Sequence, residues 1–266
     1  SNPMVGCIIV YNGNIIGSGY HESYGKSHAE VNAINSVHDK ELLKESVLYV
    51  NLEPCSHFGK TPPCCDLIIK NNIPKVIIGC IDSFKESCGK GIQQLIDHGI
   101  KVELNILEKE CKQLNKRFFT FHEKKKPYII LKWAESNDGF IAPKQQDSYF
   151  WMTSNKSKKL VHHWRSEEDA ILIGRITAEK DNPLLTVRDV NGNNPKRIVI
   201  DKNLVLDKKL NIFNNHAETI IINNSKSISE GKNRFVKIEF NKLITSILHF
   251  LYNENIQSVI IEGGST

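Results

Sequence analysis

Strand-sized apolar runs alternate with helix-length stretches along almost the whole chain, and the alternation starts over once. No other feature narrows the fold as far, because strands interleaved with helices demand sheets covered by helices. Gly6–Val10 and Ile15–Tyr20 are apolar runs joined by Tyr11-Asn12-Gly13-Asn14, and an Asn-Gly pair is hairpin-turn chemistry. A helix is expected from about His28 to Val37, with Val31, Ile34 and Val37 three residues apart. Val47–Asn51, Lys75–Ile81 and Ile100–Ile106 read as strands, and Pro63–Asn71 and Ile92–His98 as helices. One long helix is expected from about Glu108 to His122.

Glu123-Lys124-Lys125-Lys126-Pro127, a polar run ending in proline, then marks a boundary. Beyond it Tyr128–Ala134, Ala170–Gly174, Arg197–Asp201, Thr219–Asn223 and Ser258–Glu262 are strand-like. Helices are expected at Lys156–Ser166 and about Leu243–Asn253. The chain therefore divides into α/β domains at residues 1–123 and 127–266, without an internal repeat. Leu160, Val161 and Trp164 share one side of their helix, so Trp164 reads as core, His162-His163 as solvated surface, and Asp181-Asn182-Pro183 as a turn.

Composition excludes several classes. Of the 266 residues 40% are hydrophobic and 24% charged, which suits a packed globular chain rather than a disordered one. No apolar run approaches the roughly 18 residues of a membrane helix, so no membrane partner is expected. The net charge of +5 is spread evenly: residues 1–126 hold 16 Lys/Arg against 14 Asp/Glu, and residues 127–266 hold 19 against 16. Nucleic-acid binders concentrate charge, so no nucleic-acid partner is expected either, whereas an anionic small substrate suits the balance. Seven cysteines, an odd number in a chain too long to need disulfides, indicate a reduced, cytoplasmic protein. The sequence opens Ser1-Asn2-Pro3-Met4 and stops at Glu262-Gly263-Gly264-Ser265-Thr266, where a strand should lead onward. We expect pieces to be missing at each end.

The chemistry-bearing pattern is His28-Ala29-Glu30, then Glu53-Pro54-Cys55, then Cys64 after eight intervening residues. Hydrolytic deamination of an amidine-like ring carbon needs hydroxide at neutral pH. Zinc generates it from water when three protein ligands leave a fourth position open, and one imidazole with two thiolates suits zinc. A carboxylate that is not a ligand must carry protons to the departing ammonia, and Glu30 fits that role. His28 and Glu30 converge on one site if it lies beyond a helix N-terminus; a second helix starts near Pro63, and two such termini favour anionic ligands. Spacing alone does not choose between Cys64 and Cys65, and the usual deaminase signature has only two residues between its cysteines.

Asn2-Pro3-Met4-Val5-Gly6, His28-Ala29-Glu30 and the stretch Glu53-Pro54-Cys55-Ser56-His57-Phe58-Gly59-Lys60-Thr61-Pro62-Pro63-Cys64 closely resemble the bacterial bifunctional riboflavin-biosynthesis deaminase–reductases. The resemblance continues through Lys132–Gly139, Trp151–Ser154, Thr177–Arg188, Arg197–Asp201 and Glu262-Gly263-Gly264, nearly the whole chain. It implies a cytidine-deaminase-like α/β/α domain followed by a dihydrofolate-reductase-like α/β domain that is incomplete at its C-terminus. It also implies two steps on one phosphorylated pyrimidine: zinc-dependent removal of an amino group, then NADPH-dependent reduction of the ribosyl group to ribityl. Carried over residue by residue, Cys64 joins His28 and Cys55 as a ligand and Glu30 is catalytic. Asn2, His57, Lys60, Lys132, Ser148, Arg165, Leu185, Arg188 and Glu262 match substrate positions. Ala134, Trp151, Thr177 and Asp181 match NADP-binding ones, and Gly264 belongs to the glycine-rich loop that receives the pyrophosphate. Because little follows Glu262, poor reduction is expected. Oligomeric state is not legible, and a homo-oligomer stays open. The competing readings are a nucleoside or tRNA-base deaminase with an unrelated C-terminal domain, and a non-catalytic zinc-stabilised binding protein.

Overall fold

The computed structural model describes residues 2–58, 62–84, 88–141 and 152–263. The chain forms two compact units, Ser1–Lys124 and Lys125–Thr266.

In the first unit β1 (Gly6–Tyr11) and β2 (Asn14–Tyr20) pair antiparallel. Their turn residues Asn12 and Gly13 have φ of +47° and +77°, the left-handed pair that a two-residue hairpin turn requires. β3 (Val47–Leu52) runs antiparallel to β1, and β4 (Lys75–Cys80) and β5 (Lys101–Leu104) follow parallel, giving the order β2-β1-β3-β4-β5. One core joins Ile9, Leu48, Val76 and Ile78 of the sheet to α1 (Ala29–Ser36), α2 (Cys64–Lys70) and α3 (Lys90–Asp97) through Ala33, Ile34, Ile68 and Leu95. On the sheet's other face Ile8, Tyr49, Ile77 and Leu107 line an open groove of about 590 Å³.

The long helix expected over 108–122 is two helices, α4 (Glu108–Leu114) and α5 (Lys116–Lys124). The break falls at the buried Asn115, whose amide side chain is bonded to both backbone groups of Met4, accepting from its N–H at 2.7 Å and donating to its carbonyl at 3.0 Å. A long-range tether, invisible to periodicity, decides the boundary.

Helix α1 reaches the sheet only because β2 carries glycines. A β-carbon on Gly19 would lie 2.4 Å from the Ala33 nitrogen and 2.6 Å from the Ala29 carbonyl oxygen, both backbone atoms of α1. Gly19→Ala should therefore lift α1 and cost about 1–3 kcal/mol of stability. Urea unfolding followed by far-ultraviolet circular dichroism measures this. Tryptophan fluorescence provides the control, since Trp133, Trp151 and Trp164 all belong to the second unit.

The second unit holds a seven-stranded sheet of order β10-β11-β9-β8-β7-β12-β6. Its strands are β6 (Tyr128–Lys132), β7 (Ala170–Gly174), β8 (Lys196–Ile200), β9 (Thr219–Asn223), β10 (Ile228–Glu230), β11 (Asn233–Lys237) and β12 (Ser258–Glu262). All neighbours are parallel except β10 and β11. The central strands are buried on both faces, which is why Ala-Ile-Leu-Ile and Thr-Ile-Ile-Ile read as continuous apolar runs. Ile171 and Ile173 share one core with Ala178 of α7 (Arg175–Asp181), while Ala170 and Leu172 share the other with Ile247 and Leu251 of α8 (Leu243–Asn253). The remaining helix, α6 (Asn155–Glu167), is capped by Ser154, whose hydroxyl accepts the Ser157 N–H.

Two side chains of α6 reverse their expected places. His162 is 2% exposed, and Trp164 is 38% exposed. The helix turns its imidazole inward because polar partners wait there: Nδ1 accepts the Arg188 N–H at 3.3 Å, and Nε2 faces Asp189 at 3.7 Å. No described helix is long and apolar enough to cross a membrane.

Candidate active site

Two helix starts and one strand end meet in the first unit. His28 is the residue preceding α1, Cys64 opens α2 after Pro63, and Cys55 follows the end of β3 by three residues. His28 Nδ1 lies 3.3 Å from Cys64 Sγ and 3.4 Å from Cys55 Sγ, and the three donor atoms all fall within 4.8 Å of one another. Tetrahedral zinc with one nitrogen and one sulfur ligand at ordinary bond lengths separates the two by about 3.5 Å, so the cluster fits the ion. The Cys64 N–H donates to Cys55 Sγ at 3.3 Å, so the α2 N-terminus already supports a thiolate there.

Glu30 sits in the first turn of α1 and is 3% exposed. Burial pushes its carboxyl up to about 7, and its side chain is hydrogen-bonded to the Cys64 thiol. Hydrogen bonding from Cys64 holds Cys55 down at about 4, with His28 acting in the same direction, while the Cys55 thiolate drives Cys64 up. Cys65 points elsewhere: its thiol reaches the Pro54 carbonyl at 3.4 Å and the Gly91 carbonyl at 3.6 Å, and burial raises its pKa.

Beside this cluster His21 packs edge-on against His28, with ring centroids 5.6 Å apart. Its Nδ1 donates to the Ser27 carbonyl at 3.1 Å, and its Nε2 accepts from the Asn2 amide at 2.9 Å. A chain Asn2–His21–His28 thus leads from the N-terminal segment to the metal ligands. Sequence reasoning missed His21, whose only signal was a histidine just after a strand end. His57 is exposed, and Lys60 lies outside the described residues.

In the second unit β6 and β12 place Lys132 opposite Glu262 at their carboxyl ends. Arg165 of α6 completes the group: its Nη2 donates to both Glu262 oxygens at 3.2 and 3.1 Å, while Lys132 Nζ stands 3.9 Å from the same carboxylate. Arg165 Nε is buried with no hydrogen-bond partner among the described residues. Glu262→Gln would leave Arg165 and Lys132 facing each other without their counter-charge. We expect a loss of about 2 kcal/mol in the second unit, read from tryptophan fluorescence in urea; an unchanged midpoint would show that the carboxylate does not hold them.

Leu185 is buried with φ of +54°, and Arg188 is exposed, its Nη1 donating to Thr186 Oγ1 at 3.2 Å. Ala134, just past β6, and Thr177 of α7 are half-buried, whereas Asp181 stands at the exposed end of α7, apart from the charged group. A β-carbon added at Gly174 or Gly263 would meet nothing within 4 Å among the described residues, and both glycines stand at the carboxyl ends of β7 and β12, the edge where parallel α/β sheets take nucleotides such as NADPH. Ser148, Trp151 and Gly264 lie outside the described residues.

Known protein families resemble the chain in two stretches. Residues 1–80 match the cytidine and deoxycytidylate deaminase zinc-binding region, and residues 127–266 match the RibD C-terminal domain. The riboflavin biosynthesis protein RibD of Aquifex aeolicus is 39% identical over 271 residues, covering 99% of this chain and 75% of that protein. A solved Thermotoga maritima structure, a diaminohydroxyphosphoribosylaminopyrimidine deaminase/5-amino-6-(5-phosphoribosylamino)uracil reductase, superposes with a TM-score of 0.89 at 40% identity. The match covers 99% of this chain and 75% of that one. Acinetobacter baumannii RibD gives 0.86 at 32% identity, with 99% and 74% covered.

Proposed function

The chain belongs to the RibD family of riboflavin biosynthesis proteins, and from that premise we propose that it acts successively as deaminase and reductase on one phosphorylated pyrimidine. The observation that carries this reading is the meeting of His28, Cys55 and Cys64 donor atoms beside a buried carboxylate, Glu30. A binding protein stabilised by zinc has no use for that carboxylate.

His28, Cys55 and Cys64 would hold zinc, which supplies the positive charge that lets water ionise near neutral pH. Glu30 takes one proton of the attacking water and passes it to the ring nitrogen, then carries the remaining hydroxyl proton to the amino group, which leaves as ammonia while the ring carbon becomes a carbonyl. The ring is the 2,5-diamino-6-ribosylamino-4(3H)-pyrimidinone 5′-phosphate. Asn2 and His57, together with Lys60, are proposed to hold this substrate. Lys suits the phosphate as a compact cation.

For reduction of the ribosyl group to ribityl, bound NADPH would supply the hydride, and an acidic group must deliver one proton to the opened sugar. Ala134, Thr177 and Asp181, with Trp151 and Gly264, are the residues proposed to hold NADPH. The Lys132–Glu262 pair, braced by Arg165, is proposed to stand nearest the sugar carbon, with Ser148, Leu185 and Arg188 completing the substrate side. The proposed setting is cytoplasmic, without nucleic-acid or membrane partners.

The test is ammonia release from the pyrimidinone 5′-phosphate before and after zinc is removed by a chelator. Release that stops with the metal and returns on its addition supports the reading. No release by a folded, zinc-loaded chain refutes the substrate assignment, and cytidine and tRNA are then tried.

A further inference from the structure

Glu53 stands two residues ahead of Cys55, just past the end of β3, and is 5% exposed. A carboxylate buried so deeply is costly unless its oxygens are satisfied. Both are, by four backbone N–H groups from residues 82 to 92. Oε1 accepts from Gly91 at 3.0 Å and Ile92 at 3.4 Å; Oε2 accepts from Gly89 at 3.0 Å and Asp82 at 3.2 Å. Gly91 and Ile92 belong to the first turn of α3, where N–H groups lack partners within the helix.

The same contact presses on the ligand turn. A β-carbon on Gly91 would lie 2.1 Å from the Pro54 carbonyl oxygen. Cys65 adds its thiol to the carbonyls of Pro54 and Gly91, and the Cys65 N–H donates to the Cys55 carbonyl at 3.1 Å. Pro54-Cys55 is thus held between the start of α2 and the start of α3, and Glu53 fastens the second of these.

We infer that Glu53 is the positioning residue of the metal centre: by clamping Asp82 and the start of α3 against the end of β3, it fixes Pro54-Cys55 and so the place of Cys55 Sγ opposite His28 and Cys64. This rests on the zinc-deaminase reading above. Glu53 does not touch the reacting atoms; it acts through Cys55.

Glu53→Gln is the discriminating variant. Each carboxylate oxygen takes two N–H groups, so whichever way the amide turns, its NH₂ confronts two donors. The zinc dissociation constant should rise about 10–100-fold, measured by competition with a chromophoric chelator. With cobalt(II) in place of zinc, the visible bands of the thiolate site should shift, and kcat should fall more than KM rises. Glu53→Asp, which keeps the charge but shortens the reach, should recover part of the loss. A folded Glu53→Gln with wild-type zinc affinity and an unshifted cobalt spectrum overturns the inference, however far its melting temperature falls.

If Glu53→Gln does not fold, Gly91→Ala replaces it. Its β-carbon pushes Pro54 while the carboxylate stays intact, so the same loss of zinc affinity of about tenfold or more is expected, and wild-type affinity overturns the inference. Neither metal readout uses the pyrimidine. A wild-type chain that binds zinc but releases no ammonia counts against the substrate reading and leaves the result on Glu53 standing.

Discussion

Glu30→Gln is expected to bind zinc as the wild type does and to release ammonia about 10²–10⁴-fold more slowly. The size of the effect follows from the proposed role of the carboxylate, which accepts a proton from water and hands it to a nitrogen. An amide does neither at neutral pH. The isosteric change matters because Glu30 is buried in the first turn of α1, and truncation to alanine would add a cavity to the chemical loss. KM should move little, since no role in holding the pyrimidine is assigned to Glu30. Zinc content per chain and kcat, measured on the same preparation, decide the matter. Full zinc with surviving activity would show that some other group moves the protons.

The second large effect is an asymmetry between adjacent cysteines. Cys64→Ser should strip the metal and abolish deamination, because a hydroxyl replaces a soft sulfur ligand 3.3 Å from His28 Nδ1. Structural zinc contributes about 10–16 kcal/mol to small metal-dependent domains, so loss of secondary structure in the first unit is expected to accompany loss of metal. Cys65→Ser should keep its zinc, since its side chain faces the Pro54 and Gly91 carbonyls, which a hydroxyl can still reach as a donor. Metal content and circular dichroism of the two variants read the result. The reverse pattern would make Cys65 the ligand and displace the start of α2 from the site by one residue.

Local patterns were legible in the sequence where one element decides them. Asn12-Gly13 announces the β1–β2 turn, and the apolar runs of β7, β8 and β9 announce a sheet buried on both faces. Patterns set by distant partners were not. Asn115 ends α4 because Met4 binds its amide, a contact across 111 residues that no helical periodicity contains. The α6 pattern reads Trp164 as core, yet the backbone of Arg188 and the carboxylate of Asp189 draw His162 inward instead. At the metal cluster the residue types speak for zinc and a proton carrier, but Glu53 reads as part of a motif with no task of its own. Its four N–H partners come from residues 82 to 92, and only the folded chain brings them to it.

The position of β12 bears on the order in which the protein is made. The strand at Ser258–Glu262 inserts between β6, the first strand of its unit, and β7, the second. A ribosome therefore delivers every strand of the first sheet by Leu104, and the cluster's three donors by Cys64, while in the second sheet the place between β6 and β7 stays unfilled. Until Glu262 emerges, Lys132 and Arg165 lack their shared carboxylate. Such non-local closure is slow, and it leaves the facing edges of β6 and β7 uncovered during synthesis. The first unit is thus complete in sequence, metal donors included, while the second still awaits the strand that joins β6 to β7.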